Sequence, residues 1–163
     1  MKSITLLTTA IVLAMGLTAR AETTVTLTGL HNCCGSCEKG ITKALTSVKD
    51  VTAVVEDDKA TITAKTKSGA DKAVEALLAA GYYGVGAPEQ KIADKKVKSA
   101  TVSGTHLCCG KCVTGIANAI KEVPGATGHT ATKGAKTFTV EGDFNVKDLL
   151  TALNRAGYHG EIK

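Results

Sequence analysis

Two nine-residue stretches of this 163-residue chain, GLHNCCGSC at 29–37 and GTHLCCGKC at 104–112, spell one pattern: Gly-x-His-x-Cys-Cys-Gly-x-Cys. They contain all six of its cysteines. A disulfide framework spreads cysteines along a chain to close long loops. Here they sit in two clusters of three. Three is odd, so any internal bridge leaves a thiol over, and the adjacent pairs Cys33-Cys34 and Cys108-Cys109 bridge only with strain. The pattern predicts ligand clusters.

The repetition extends beyond the cysteines. A shift of 75 residues places His31 on His106, Cys37 on Cys112, Gly40-Ile41 on Gly115-Ile116 and Val48 on Val123. One inserted residue later, Thr61-Ile62-Thr63 meets Thr137-Phe138-Thr139, and Gly81-Tyr82 meets Gly157-Tyr158. A unit of about 65 residues has been duplicated, and a domain of that size has a small core.

Each copy reads as strand, helix, strand, strand, helix, strand. Val25 and Leu27 alternate on one strand face, as do Ala100 and Val102. Ile41, Ala44, Leu45 and Val48 fall at helical spacing, matched by Ile116, Ala119, Ile120 and Val123, with Pro124 just beyond. Hairpins are expected to turn at Asp57-Asp58 and near Lys133-Gly134, with Ile62, Phe138 and Val140 inward. Val74, Leu77 and Leu78, then Leu149, Leu150 and Leu153, mark second helices closed by Gly81 and Gly157. The βαββαβ order predicts an α+β chain of two tandem ferredoxin-like sandwiches. The expected division is 22–88 and 98–163, joined by a charged linker at 89–97.

The first 21 residues form a signal peptide: Lys2, an apolar run from Ile4 to Leu17, and an A-x-A site at Ala19-Arg20-Ala21. That run is too short for a membrane span, so an exported, periplasmic or extracellular protein without stable membrane insertion is expected. Loss of Lys2 and Arg20 lowers the formal charge from +5 to +3, because the leader holds no acid. With so weak an excess, no Trp and scattered Phe and Tyr, nucleic-acid binding is set aside.

A cysteine at a helix start feels the positive end of the helix dipole, which favours thiolate. A second one three residues on lies on the same side. Cys34 with Cys37, and Cys109 with Cys112, can therefore converge on copper(I), zinc or mercury. Cys33 and His31, with Cys108 and His106, admit two arrangements. In a curled loop they complete a closed Cys3His set. In an extended loop they form an outer pair for a second ion or for a partner's metal. Gly40 and Gly115, costly inside a helix, are expected to allow close packing on the sheet. Glu38 is read as a dipole or capping residue, His159 as a neighbour of the second loop, and His129 as exposed.

With these elements in place, nearly the whole chain after the leader resembles, twice, the heavy-metal-associated domain family. That family includes copper chaperones, metal-ATPase amino-terminal domains and the periplasmic mercury-binding protein. The resemblance rests on Cys34–Cys37 and Cys109–Cys112 between first strand and first helix, and on the Gly-Tyr pairs before the last strand. It implies a metal binder, with a metal-transferring protein as a candidate partner. The family usually places Gly-Met-Thr ahead of its first cysteine; here stand His31-Asn32-Cys33 and His106-Leu107-Cys108. The expected ligands are thus His31, Cys33, Cys34, Cys37, His106, Cys108, Cys109 and Cys112, holding one soft ion per domain, copper(I) or zinc, without enzymatic activity. A thiol–disulfide redox protein and an interaction module with structural cysteines are the alternatives. If the copies act independently, Cys37→Ser disables the first and spares the second.

Overall fold

The computed structural model describes residues 22–163; the expected leader, residues 1–21, lies outside them. The first unit runs β1 (Thr23–Leu27), α1 (Gly35–Thr46), β2 (Val51–Glu56), β3 (Lys59–Ala64) and α2 (Lys67–Ala79). The second runs β4 (Lys96–Ser103), α3 (Gly110–Lys121), β5 (Ala126–His129), β6 (Thr137–Asn145), α4 (Val146–Arg155) and β7 (Glu161–Ile162).

The second sheet is ordered β5-β6-β4-β7, the antiparallel arrangement of a ferredoxin-like sandwich. The first is ordered β1-β3-β2, and its fourth strand shrinks to a bridge between Thr28 and Val85 on the same edge of β1. Both units are therefore α+β sandwiches of one design. The segment expected as a linker is only partly one. Residues 88–95 carry no helix or strand, whereas Lys96 and Val97 already pair with Asn145 and Phe144 as the start of β4.

Alternation places Leu27, Ile62 and Ala64 on the covered face of the first sheet, and Val102, Phe138 and Val140 on that of the second. The helices answer with Ile41, Leu45 and Leu77, and with Ile116, Leu149 and Leu153. One contiguous apolar cluster runs through both units. Burial of each such side chain is worth roughly 1.5–3 kcal/mol.

The second helices end in Schellman motifs. Tyr82 N–H donates to Leu77 C=O at 3.2 Å and Gly81 N–H to Leu78 C=O at 2.8 Å; Tyr158 and Gly157 do the same to Leu153 and Asn154, both at 3.0 Å. Gly81 (φ +89°) and Gly157 (φ +84°) hold the left-handed conformation this closure needs. They serve a second purpose. A Cβ on Gly81 would collide with the backbone of His106, and one on Gly157 with the backbone of His31. The helix-closing glycine of each unit thus lies against the cysteine loop of the other.

Gly40 and Gly115 face a tyrosine, not the sheet as expected. A Cβ on Gly40 would collide with the Tyr82 hydroxyl, and one on Gly115 with that of Tyr158. Those hydroxyls donate to the carbonyls of Cys37 (3.1 Å) and Cys112 (3.0 Å), tying each closing turn to its own cysteine helix. Gly40→Ala should therefore lose about 1–3 kcal/mol through overpacking, despite alanine's helix advantage of about 1 kcal/mol. Adding Tyr82→Phe, which removes the clashing hydroxyl, should recover part of the loss. Denaturant unfolding checks both; an unchanged midpoint for Gly40→Ala would show that the tyrosine does not hold the helix.

Candidate metal centre

The two kinds of helix in each unit begin differently. α2 is capped by Thr66, whose hydroxyl accepts from Gly69 N–H at 3.0 Å, and α4 by Asn145, which accepts from Lys147 N–H at 2.9 Å. At α1 and α3 the capping position holds Cys34 or Cys109 in extended backbone, with no side-chain cap. The first-turn N–H groups of those helices are left to act on sulfur.

All six cysteines are free thiols, and the two clusters meet. Within the first loop Cys37 Sγ lies 3.6 Å from Cys33 Sγ and 3.7 Å from Cys34 Sγ. Within the second, Cys112 Sγ lies 3.5 Å from both Cys108 Sγ and Cys109 Sγ. Between the loops the separations are the same. Cys37 is 3.4 Å from Cys108 and 3.8 Å from Cys112, Cys33 is 3.7 Å from Cys109 and 3.9 Å from Cys112, and Cys34 is 3.8 Å from Cys109. Two thiolates bound to one tetrahedral ion at about 2.3 Å stand about 3.8 Å apart. The sulfurs already sit at the spacing of ligands around metal. Cys37 and Cys112 are buried, Cys33, Cys34 and Cys109 half-buried, and Cys108 exposed.

The loops curl, yet neither copy assembles its own Cys3His set. Each histidine crosses to the other unit. His106 stacks on Tyr82 at 3.9 Å between ring centres, and His31 stacks on Tyr158 at 4.3 Å. His106 Nδ1 donates to the carbonyl of Gly81 at 2.9 Å, so Nε2 carries the lone pair, and it lies 3.9 Å from Cys37 Sγ. A backbone carbonyl behind the ring is the usual way a metal-binding histidine is oriented. His31 Nε2 is buried without a hydrogen-bond partner. Four groups of potential ligands result: His31, Cys33 and Cys112; Cys33, Cys34 and Cys37; Cys34, Cys108 and Cys109; and Cys37, His106 and Cys112. Within each, the ligand atoms lie inside 4.8 Å of one another. All eight expected residues are in them, and three of the four groups mix the two copies.

Local electrostatics divide the thiols. Backbone N–H groups at the start of α1, that of Cys37 first, hold the Cys34 thiol below its ordinary value. The N–H of Cys112 draws Cys109 down to about 6. Burial, followed by neighbouring thiols, pushes Cys33 and Cys108 up. Burial also raises Cys112, and it lowers His106 to about 4 and His31 below its usual value. Both imidazoles are thus held neutral, the form that ligates metal. At neutral pH Cys109 is a thiolate, and the depressed Cys34 thiol faces it.

His159 belongs to none of the four groups; its backbone N–H donates to Gly81 C=O at 3.1 Å, across the copies. Glu38 is exposed in the first turn of α1. His129 is half-buried, not exposed as expected, and its Nδ1 accepts from Ala131 N–H at 3.2 Å. The roles of Tyr82 and Tyr158 as platforms for the opposite histidine are new, as is Lys111 Nζ donating to the Cys33 carbonyl at 3.4 Å. The tyrosines had a signal in the repeated Gly-Tyr. Lys111 had none, since Ser36 occupies its place in the first copy.

No protein-family model matches the chain. The solution structure of the N-terminal soluble domains of Bacillus subtilis CopA is similar at 20% identity, over 88% of this chain and 95% of that chain, with a TM-score of 0.35. The clustered thiols and imidazoles are donors of the kind suited to a soft metal ion.

The thiolate is the species that alkylates, so reactivity rises with pH through each thiol's own pKa. In the reduced, metal-free protein, iodoacetamide should modify Cys109 earliest, with a midpoint near pH 6. Cys108 should lag despite its exposure. Peptide mapping after timed alkylation checks this; a Cys109 profile centred at about 8.5, as for an unperturbed thiol, would mean the helix start does not activate it.

Proposed function

We propose that this is an exported, non-enzymatic protein that captures and holds soft metal ions, a scavenger or buffer more than a carrier. The observation that supports this is the gathering of six free thiols and two neutral imidazoles from two loops, at sulfur separations of 3.4–3.9 Å. Such a set selects copper(I), zinc or mercury(II) over hard cations. Holding is favoured over transfer because Cys37 and Cys112 are fully buried. Rapid exchange needs an open position that an incoming thiolate can attack. Export rests on the leader, and the resemblance to heavy-metal-associated domains agrees with metal binding. Among the described residues no helix is long and apolar enough to cross a membrane.

A redox role would need one clean dithiol. Here each CxxC sulfur has at least one further sulfur at equal range, so a disulfide formed in one pair is open to exchange with the rest.

Anaerobic titration of the reduced protein with copper(I), against a competing chelator, tests the proposal. Tight binding that weakens on acidification and is abolished by prior thiol oxidation is expected. Failure of the reduced protein to retain copper(I), zinc or mercury(II) through a desalting column would overturn it.

A further inference from the structure

The four ligand groups cannot be filled independently. Cys33, Cys34, Cys37 and Cys112 each belong to two of them. Nor can the sulfurs be divided into two separate sites by copy. Five sulfur pairs across the copies stand at 3.4–3.9 Å, bracketing the 3.5–3.7 Å of the four pairs within them. Two ions can occupy groups with no ligand in common, such as His31, Cys33 and Cys112 with Cys34, Cys108 and Cys109, but any third ion must share a sulfur with one of them.

We propose that the two copies hold a single polynuclear copper(I)–thiolate cluster, in which Cys33, Cys34, Cys37 and Cys112 bridge ions and the histidine of each copy serves cysteines of the other. This rests on the soft-metal reading above and replaces the expectation of one ion per domain. Copper(I) is the ion that fits, because it accepts two or three soft ligands and shares thiolates between ions. Zinc in a closed site takes four, and each group here offers three. Each cysteine still protonated before binding releases its proton to solvent as the metal–sulfur bond forms.

The crossed histidines give the arrangement its direction. His106 reaches Cys37 because Gly81, with no side chain, lets the second loop lie on the first unit's closing turn, and because the Gly81 carbonyl fixes the ring. His31 lies against Gly157 in the corresponding place, but there its backbone N–H donates to the Gly157 carbonyl at 3.4 Å and its ring is held by stacking on Tyr158. The glycine contacts are reciprocal within one chain, Gly81 against the second loop and Gly157 against the first, as in an isologous interface. The site is complete only when both copies are present and closed.

Anaerobic titration with copper(I), followed by elemental analysis, X-ray absorption and sedimentation, tests the cluster, with zinc(II) titrated in parallel. The protein should fill cooperatively beyond two copper ions per chain, up to one for each of the four groups. It should show metal–metal scattering and remain monomeric. Cys108→Ser alters an exposed residue, which spares the fold, as circular dichroism should confirm. It should nevertheless speed copper release to a chelator by roughly 10–100-fold across the whole cluster, because Cys108 adjoins Cys37 of the other copy. His106→Ala should likewise loosen copper held by Cys37. Two ions that fill independently, without metal–metal scattering, and a Cys108→Ser effect confined to one of them, would overturn the shared cluster while leaving metal binding intact. Retention of no metal at all would overturn metal binding itself. Scattering seen only in a copper-induced dimer would move the cluster between chains, and preference for zinc over copper(I) would overturn the choice of ion.

Discussion

The structure depends on a reciprocal contact: the glycine that closes the second helix of each unit is pressed against the backbone of the other unit's cysteine loop. Nothing larger than hydrogen fits at Gly81 or Gly157. Around that pair the rest assembles. Tyr82 and Tyr158 form an antiparallel bridge with each other, and each carries the opposite histidine on its ring. Their hydroxyls hold the carbonyls of Cys37 and Cys112, so helix position and loop position are coupled. One closing turn therefore caps a helix, docks a neighbour and orients a histidine.

The chemistry follows from this closure. Six thiols brought within contact would repel one another if all were ionised. The helix starts divide the burden by favouring thiolate at Cys34 and Cys109, while burial keeps Cys33, Cys108 and Cys112 protonated. A cation entering such a nest finds charge where the helices supply it and neutral sulfur close behind. Uncapped starts at α1 and α3, beside oxygen-capped starts at α2 and α4, are the local expression of that division.

Most of the fold was legible in the sequence because it is written in short-range signals. Period-two and helical apolar spacing located the strands and helices, and the duplication supplied each reading twice. The first unit's weak fourth strand was less visible, since Gly84 and Gly86 leave only the Thr28–Val85 bridge beside β1. The eight candidate ligand residues were legible from their repeat. Their partnership was not. Which unit's histidine meets which unit's cysteine is set by how two finished surfaces dock, and no periodicity encodes that. Gly40 and Gly115 show the same limit: an unfavourable helix residue signalled a close approach, but the approaching group, a tyrosine 42 or 43 positions away, is known only once the chain has folded.

The stretch at 88–95, which holds neither helix nor strand, carries a consequence out of proportion to its length. Two separate small domains meeting through so reciprocal a face would come apart on dilution. A short tether holds them at an effective concentration on the order of millimolar, whatever the concentration of the chain. Closure is then a property of each molecule rather than of its abundance. A single molecule, far from any other, presents the same completed nest of sulfur as a crowded solution does.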